Sequence, residues 1–116
     1  MLEQKEILER LRQVHLLVLD VDGVLTDGFI NIGPDGKEVF KRFDVKDGHA
    51  LKHQVHDLGV RTAIITGRTS EIVENRAREL DIDHLYQGQK DKRTAFKTLL
   101  ELYALTPADV AYMGDD

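Results

Sequence analysis

Residues 16–28 read LLVLDVDGVLTDG. Four consecutive apolar side chains, Leu16 to Leu19, stop abruptly at Asp20, and a second acid, Asp22, and a glycine, Gly23, follow. A short unbroken apolar run with an abrupt polar end predicts a strand buried on both faces of a mostly parallel sheet. Three further segments have the same character: VRTAIIT at 60–66, cut by Gly67; HLYQ at 84–87; and DVAYM at 109–113, which runs into Gly114-Asp115-Asp116. Helical periodicity fills the gaps. Leu51, Val55 and Leu58 share one helical face over 47–58, closed by Gly59 at the C′ position. Ser70 is the predicted N-cap of a helix carried by Ile72, Val73, Ala77 and Leu80, and Ala95, Phe96, Leu99, Leu100 and Tyr103 mark a third over 91–105. Upstream, Ile7, Leu8, Leu11 and Val14 form an amphipathic stripe over 2–14. Between the first strand and the first crossover helix lie FINI, the turn GPDG and EVFKRF, which predict a β-hairpin at about 29–43. Strands alternating with helices predict a doubly wound, mostly parallel α/β sheet with right-handed crossovers.

Composition sets the outer limits. The 116 residues fit one domain spanning 1–116, and 41% hydrophobic with 32% charged residues is the balance of a globular chain. The net charge of −5 offers no basic surface for collecting nucleic acid or anionic lipid by bulk charge. The absence of cysteine excludes disulfides, thiolate catalysis and Cys-ligated metals. No apolar run approaches the ~18 residues of a membrane span, and the N-terminus lacks a signal-peptide layout, so a soluble, unprocessed, cytoplasmic protein is expected.

In a doubly wound sheet the ligand site lies outside the carboxyl ends of the strands. Each predicted strand delivers polar residues or glycine there: Asp20 and Asp22; Thr66, Gly67 and Arg68; Gly88 to Lys92; and Gly114 to Asp116. The combined content suits Mg²⁺ and a phosphoryl group. Mg²⁺ keeps several waters and asks the protein for a few hard oxygens, which Asp20, the backbone carbonyl of Asp22 and Asp115 supply. Asp20 is placed to attack phosphorus and form an aspartyl-phosphate. Asp22, two residues along the turn, is the matching general acid/base. Thr66 offers a hydroxyl, and Lys92 or Lys90 a cation, to the charge on the phosphoryl oxygens. An EF-hand starting at Asp20 fails, because Leu25 and Asn31 occupy the positions that need Gly and Glu.

These motifs, DVDGVLTDG, TGR, a lysine after the third strand and GDD, resemble the haloacid dehalogenase (HAD) superfamily of phosphatases. RFDVKDGHALK, ITGRTSEIVENRARELDI and LYQGQKDK further resemble the phosphatases of 3-deoxy-D-manno-octulosonate (KDO) 8-phosphate. The resemblance covers the chain from about Leu16 onward. It implies Asp20 as nucleophile and Asp22 as acid/base, with Asp20, Asp22 and Asp115 around Mg²⁺. It gives Thr66 and Lys92 to the phosphate and favours Lys92 over Lys90, because the family's lysine opens a helix. It also implies that Asp44, Val45, Lys46, Asp47 and Gly48, with Arg68 and Arg76, hold the sugar acid, and it places Gly67 among the substrate-binding residues. Members are capless homotetramers acting in lipopolysaccharide precursor synthesis, in which the hairpin helps cover a neighbour's site. Such a role fits the apolar Phe29, Ile30, Ile32, Val39 and Phe40. The resemblance further implies a helix, a strand and another helix after GDD, so a core lacking its C-terminal part is expected.

Bland alternatives stand beside these readings. Arg76 flanks the apolar stripe of its helix, a position more often solvated. His49, His53 and His56 follow zinc-compatible spacing but lie opposite the Leu51 stripe, where a solvated or interface face is expected. Among functions, a sialic-acid-type 9-phosphate phosphatase differs only in substrate. A receiver-like phosphoacceptor needs an acceptor Asp at the end of the third strand, where Gln87-Gly88 stand. A non-catalytic relic of the fold has no reason to keep Asp20, Asp22, Thr66, Lys92 and Asp115 together.

Overall fold

A computed structural model describes residues 12–114. Both the helix expected over most of 2–14 and the acid Asp115 lie outside the described residues. The main sheet has four parallel strands, β1 (Leu16–Leu19), β4 (Arg61–Ile65), β5 (His84–Tyr86) and β6 (Val110–Met113), in the order β5-β4-β1-β6. A separate antiparallel pair, β2 (Asn31–Ile32) and β3 (Glu38–Phe40), forms the hairpin. Helix α1 (Val45–His49) runs on through π-type turns over Ala50–Val55. Helix α2 spans Glu71–Glu79 and α3 spans Lys92–Tyr103.

Each helix start follows from its cap. Asp44 Oδ1 accepts from Lys46 N at 2.7 Å, Ser70 Oγ from Ile72 N at 3.2 Å, and Asp91 Oδ1 from Arg93 N at 3.0 Å. Each side chain satisfies an amide that the helix leaves unpaired.

Pleating divides the core in two. Leu19 and Ile64 face α1 and α2, meeting Leu51, Val73, Ala77 and Leu80. Leu16, Val18, Ala63 and Ile65 face the opposite way, against Ala95 and Leu99 of α3. Successive side chains of one strand thus feed opposite layers, which is why these segments are apolar throughout rather than alternating. From β1 the chain steps outward to β4 and β5 with helices on one face. It then returns to the other flank of β1 with α3 on the opposite face, as a uniform crossover hand requires. Strand order therefore reverses at β1, between β4 and β6.

One detail of the helical reading needs correction. Leu51 is buried, Val55 half-buried and Leu58 79% exposed, so the three do not form one buried stripe. The wider π-type turns advance each residue by less than the 100° of an α-helix and swing Leu58 off the face. The His49 and His53 rings lie 4.9 Å apart on the exposed side of this helix. No group of three metal-ligating side chains occurs among the described residues. Nor is any described helix long and apolar enough to cross a membrane.

Candidate active site

A pocket opens where the strand order reverses, at the carboxyl edge of the sheet. Asp20 and Asp22 after β1, Thr66, Gly67 and Arg68 after β4, and Lys92 at the start of α3 line it together. Backbone hydrogen bonds prolong the strand ladders into the pocket wall: Asp20 N donates to Met113 O at 2.9 Å, and Thr66 N to Tyr86 O at 2.9 Å. Both side chains are therefore held by rigid, centrally paired backbone.

Asp20 is 7% exposed, and each of its carboxylate oxygens has a partner. Oδ1 accepts from Val21 N at 2.8 Å, and Oδ2 accepts from Lys92 Nζ at 3.0 Å. A buried carboxylate needs such compensation for the water it has lost. The turn after it winds tightly, with Leu25 N donating to Val21 O at 2.9 Å. Two glycines make this turn possible, because Gly23 and Gly28 adopt φ values of 82° and 84°.

Asp22 has a partner that the sequence reading missed. Lys41, just past β3, donates to Asp22 Oδ1 at 2.7 Å and pairs with Glu38 Oε2 at 2.9 Å, and its side chain is 1% exposed. Burial alone would lower its pKa; hydrogen bonds and attraction from both carboxylates outweigh that and hold it above the ordinary lysine value. Glu38 Oε1 in turn accepts from Ser70 Oγ at 3.4 Å, so the hairpin is fastened beside the pocket at two points. The sequence signal was faint: a Glu and a Lys three apart in a strand that otherwise read as an ordinary alternating hairpin arm. Gln89, also missed, lines the pocket, and its N–H donates to Thr66 O at 3.1 Å.

The other predicted residues fall into separate places. Lys90 is exposed on the pocket rim. Asp44 and Asp47 line a neighbouring hollow with Thr26, Asp27 and Arg42, while Val45 borders a third beside Arg76. Lys46 is exposed. Gly48 is buried: a Cβ there would collide with Arg76 Nη2 and stand 3.1 Å from Leu80 Cδ2. Arg76 thus packs under α1, its guanidinium 5.5 Å from the Phe43 ring centroid and 3.8 Å from Glu79 Oε2. Within the described residues of one chain, Arg76 and the stretch Asp44–Gly48 do not meet the Asp20 pocket. The helical pattern identified their face without revealing which hollow that face borders.

No family model matches the chain. The 3-deoxy-D-manno-octulosonate 8-phosphate phosphatase KdsC of Escherichia coli K12 is 46% identical over 111 residues, covering 96% of this chain and 58% of that protein. The structure of the Moraxella catarrhalis KDO 8-phosphate phosphatase, in complex with magnesium ion, phosphate ion and KDO, superposes with a TM-score of 0.90 at 41% identity. It matches 98% of this chain and 64% of that one. A Legionella pneumophila structure described as a HAD superfamily (subfamily III A) hydrolase gives a TM-score of 0.89 at 41% identity, over 97% of this chain and 60% of that one. The chain spans about three-fifths of the length of the curated relatives it matches. It is, over that length, a homologue of the KDO 8-phosphate phosphatases with the fold of the HAD hydrolases.

Proposed function

We propose that the protein is a Mg²⁺-dependent phosphomonoesterase whose substrate is KDO 8-phosphate, released as KDO and phosphate. The observation that carries this reading is the convergence of Asp20, Asp22, Thr66 and Lys92 on one pocket at the point of strand reversal. The KdsC name of relatives at 46% identity supports the substrate. The donor set fits Mg²⁺: Asp20 and Asp22 supply hard oxygens from one turn, and Asp115 follows β6, the strand beside it. Bound there, the ion would neutralise phosphoryl charge and orient the ester.

The chain's own residues divide the remaining work. Asp20 attacks phosphorus, forming an aspartyl-phosphate as the ester oxygen leaves. Lys92, already beside Asp20, and Thr66 hold the phosphoryl oxygens. Asp22 gives a proton to the leaving oxygen, then takes one from the water that attacks the aspartyl-phosphate. Gly67 and Arg68 line the pocket as substrate-binding residues, Arg68 for the sugar acid, while Asp44 to Gly48 and Arg76 are likewise assigned to the sugar acid. Because those residues lie away from the pocket in one chain, their role is best served in a homotetramer where neighbouring chains complete each site. The exposed apolar hairpin, with Phe29 71% and Val39 61% exposed, supports such packing. The chain acts as one capless domain in the cytoplasm.

A panel of phosphorylated sugar acids assayed with Mg²⁺ and with EDTA tests the reading. KDO 8-phosphate should be hydrolysed fastest, only with the metal, and Asp20→Asn should abolish phosphate release. Faster turnover of a sialic-acid-type 9-phosphate would reassign the substrate, and full activity of Asp20→Asn would remove the nucleophile.

A further inference from the structure

Lys41 is the most deeply buried cation among the described ion pairs, and it lies on the hairpin rather than on the sheet. Enclosing an ammonium is unfavourable unless opposite charge compensates it, and here two carboxylates from different elements stand within 3 Å of it. Asp22 belongs to the turn after β1, and Glu38 to β3. From Glu38 the connection continues around the pocket. Ser70 Oγ donates to Glu38 Oε1, Ser70 N donates to Gln87 Oε1 at 2.8 Å, and Gln89 Nε2 donates to Gln87 O at 3.0 Å. Gln89 N then reaches Thr66 O. The bonds join Asp22 to the backbone of Thr66 by a path independent of the sheet.

Asp22 is partly exposed, and its short turn has no sheet ladder of its own. Its carboxylate therefore depends on Lys41 for a fixed orientation. We propose that Lys41 is a positioning residue: it aims the Asp22 carboxylate at the ester oxygen and couples that aim to the docking of the hairpin. This rests on the acid/base role given to Asp22 above. Lys41 touches no reacting atom, and its effect passes through Asp22.

A mispositioned general acid matters most when the leaving oxygen is a poor leaving group. The alkoxide of a sugar phosphate needs a proton, whereas p-nitrophenolate needs little help. Lys41→Met should lower kcat on KDO 8-phosphate by about 10-fold to 100-fold and on p-nitrophenyl phosphate by less than about 3-fold, with Lys41→Arg recovering most of the loss. Should Lys41→Met not fold with Glu38 left unpaired, the double variant Lys41→Met/Glu38→Gln removes both charges and carries the same expectation. Asp22→Asn runs alongside as the reference. If Asp22→Asn discriminates between the two esters and the Lys41 variants do not, the positioning role is wrong while the acid/base role stands. If Asp22→Asn itself slows both equally, or the unaltered protein turns over neither ester, the underlying reading falls and this inference with it.

Discussion

Replacing Lys92 by Met tests the central pair of the pocket. The ammonium stands 3.0 Å from Asp20 Oδ2, and the side chains are 25% and 10% exposed. At an effective dielectric of ~20 the attraction is about 5 kcal/mol, and part of it is offset by removing both charges from water. Deleting the ammonium leaves the Asp20 carboxylate buried with only the Val21 amide against it, among the contacts described above. A loss of about 2–3 kcal/mol is expected, below the range for fully buried pairs because Lys92 retains some solvent. In urea the midpoint should fall by ~1–2 M. The measurement is made in EDTA, so that no cation replaces the ammonium. Combining Lys92→Met with Asp20→Asn removes the stranded charge, and the double variant should recover about 1–3 kcal/mol of the summed single losses. Strict additivity, within about 0.5 kcal/mol, would refute the view that these side chains stabilise each other.

Three further outcomes follow from other parts of the molecule. Leu99, 0% exposed between α3 and the sheet, should cost about 2–5 kcal/mol on truncation to Ala, lowering Tm by on the order of 10 °C; an unchanged melt would contradict the packing described. Lys41 has a folded pKa raised above its unfolded value, so its contribution is complete below the ordinary value of 10.5 and is lost as pH rises through the folded one. Thermal melts between neutral pH and about pH 11 should therefore show the unaltered protein losing stability more steeply than Lys41→Met above about pH 10, and parallel curves would contradict it. Arg76→Ala should raise KM for KDO 8-phosphate more than for p-nitrophenyl phosphate, since the assigned contact is with the sugar acid; equal changes would leave Arg76 only its packing against Gly48 and Phe43.

Much of this architecture was written in local patterns. The apolar runs at Leu16 and Val60 stop at Asp20 and Thr66 because buried parallel strands end where the chain meets the ligand edge. Hence the residues assigned to phosphate chemistry could be placed without coordinates. Lys92 could be preferred to Lys90 because the family that the chain resembles places its lysine at a helix opening, and α3 begins at Lys92. Lys41 could not be found that way. Its burial depends on the hairpin folding against a turn 19 residues earlier in the chain, and nothing local distinguishes it from a solvated strand lysine. Leu58 was misplaced for a related reason: π-type turns leave no mark in an apolar stripe that an α-helix would also satisfy. Arg76 marks a third kind of limit, because periodicity fixes a helical face and leaves open what stands across from it.

The reversal of strand order at β1 has a bearing on how the protein would acquire the activity proposed for it. The Asp20–Lys92 contact joins residues 72 apart, and every pairing in the main sheet is parallel and bridged by a long crossover. Such non-local contacts are entropically late, and chains rich in them fold in milliseconds to seconds rather than microseconds. No hairpin or single βαβ unit contains both partners. Catalytic competence should thus emerge only after α3 docks, making recovered turnover in a refolding experiment a stricter reporter of completed folding than the return of helical signal.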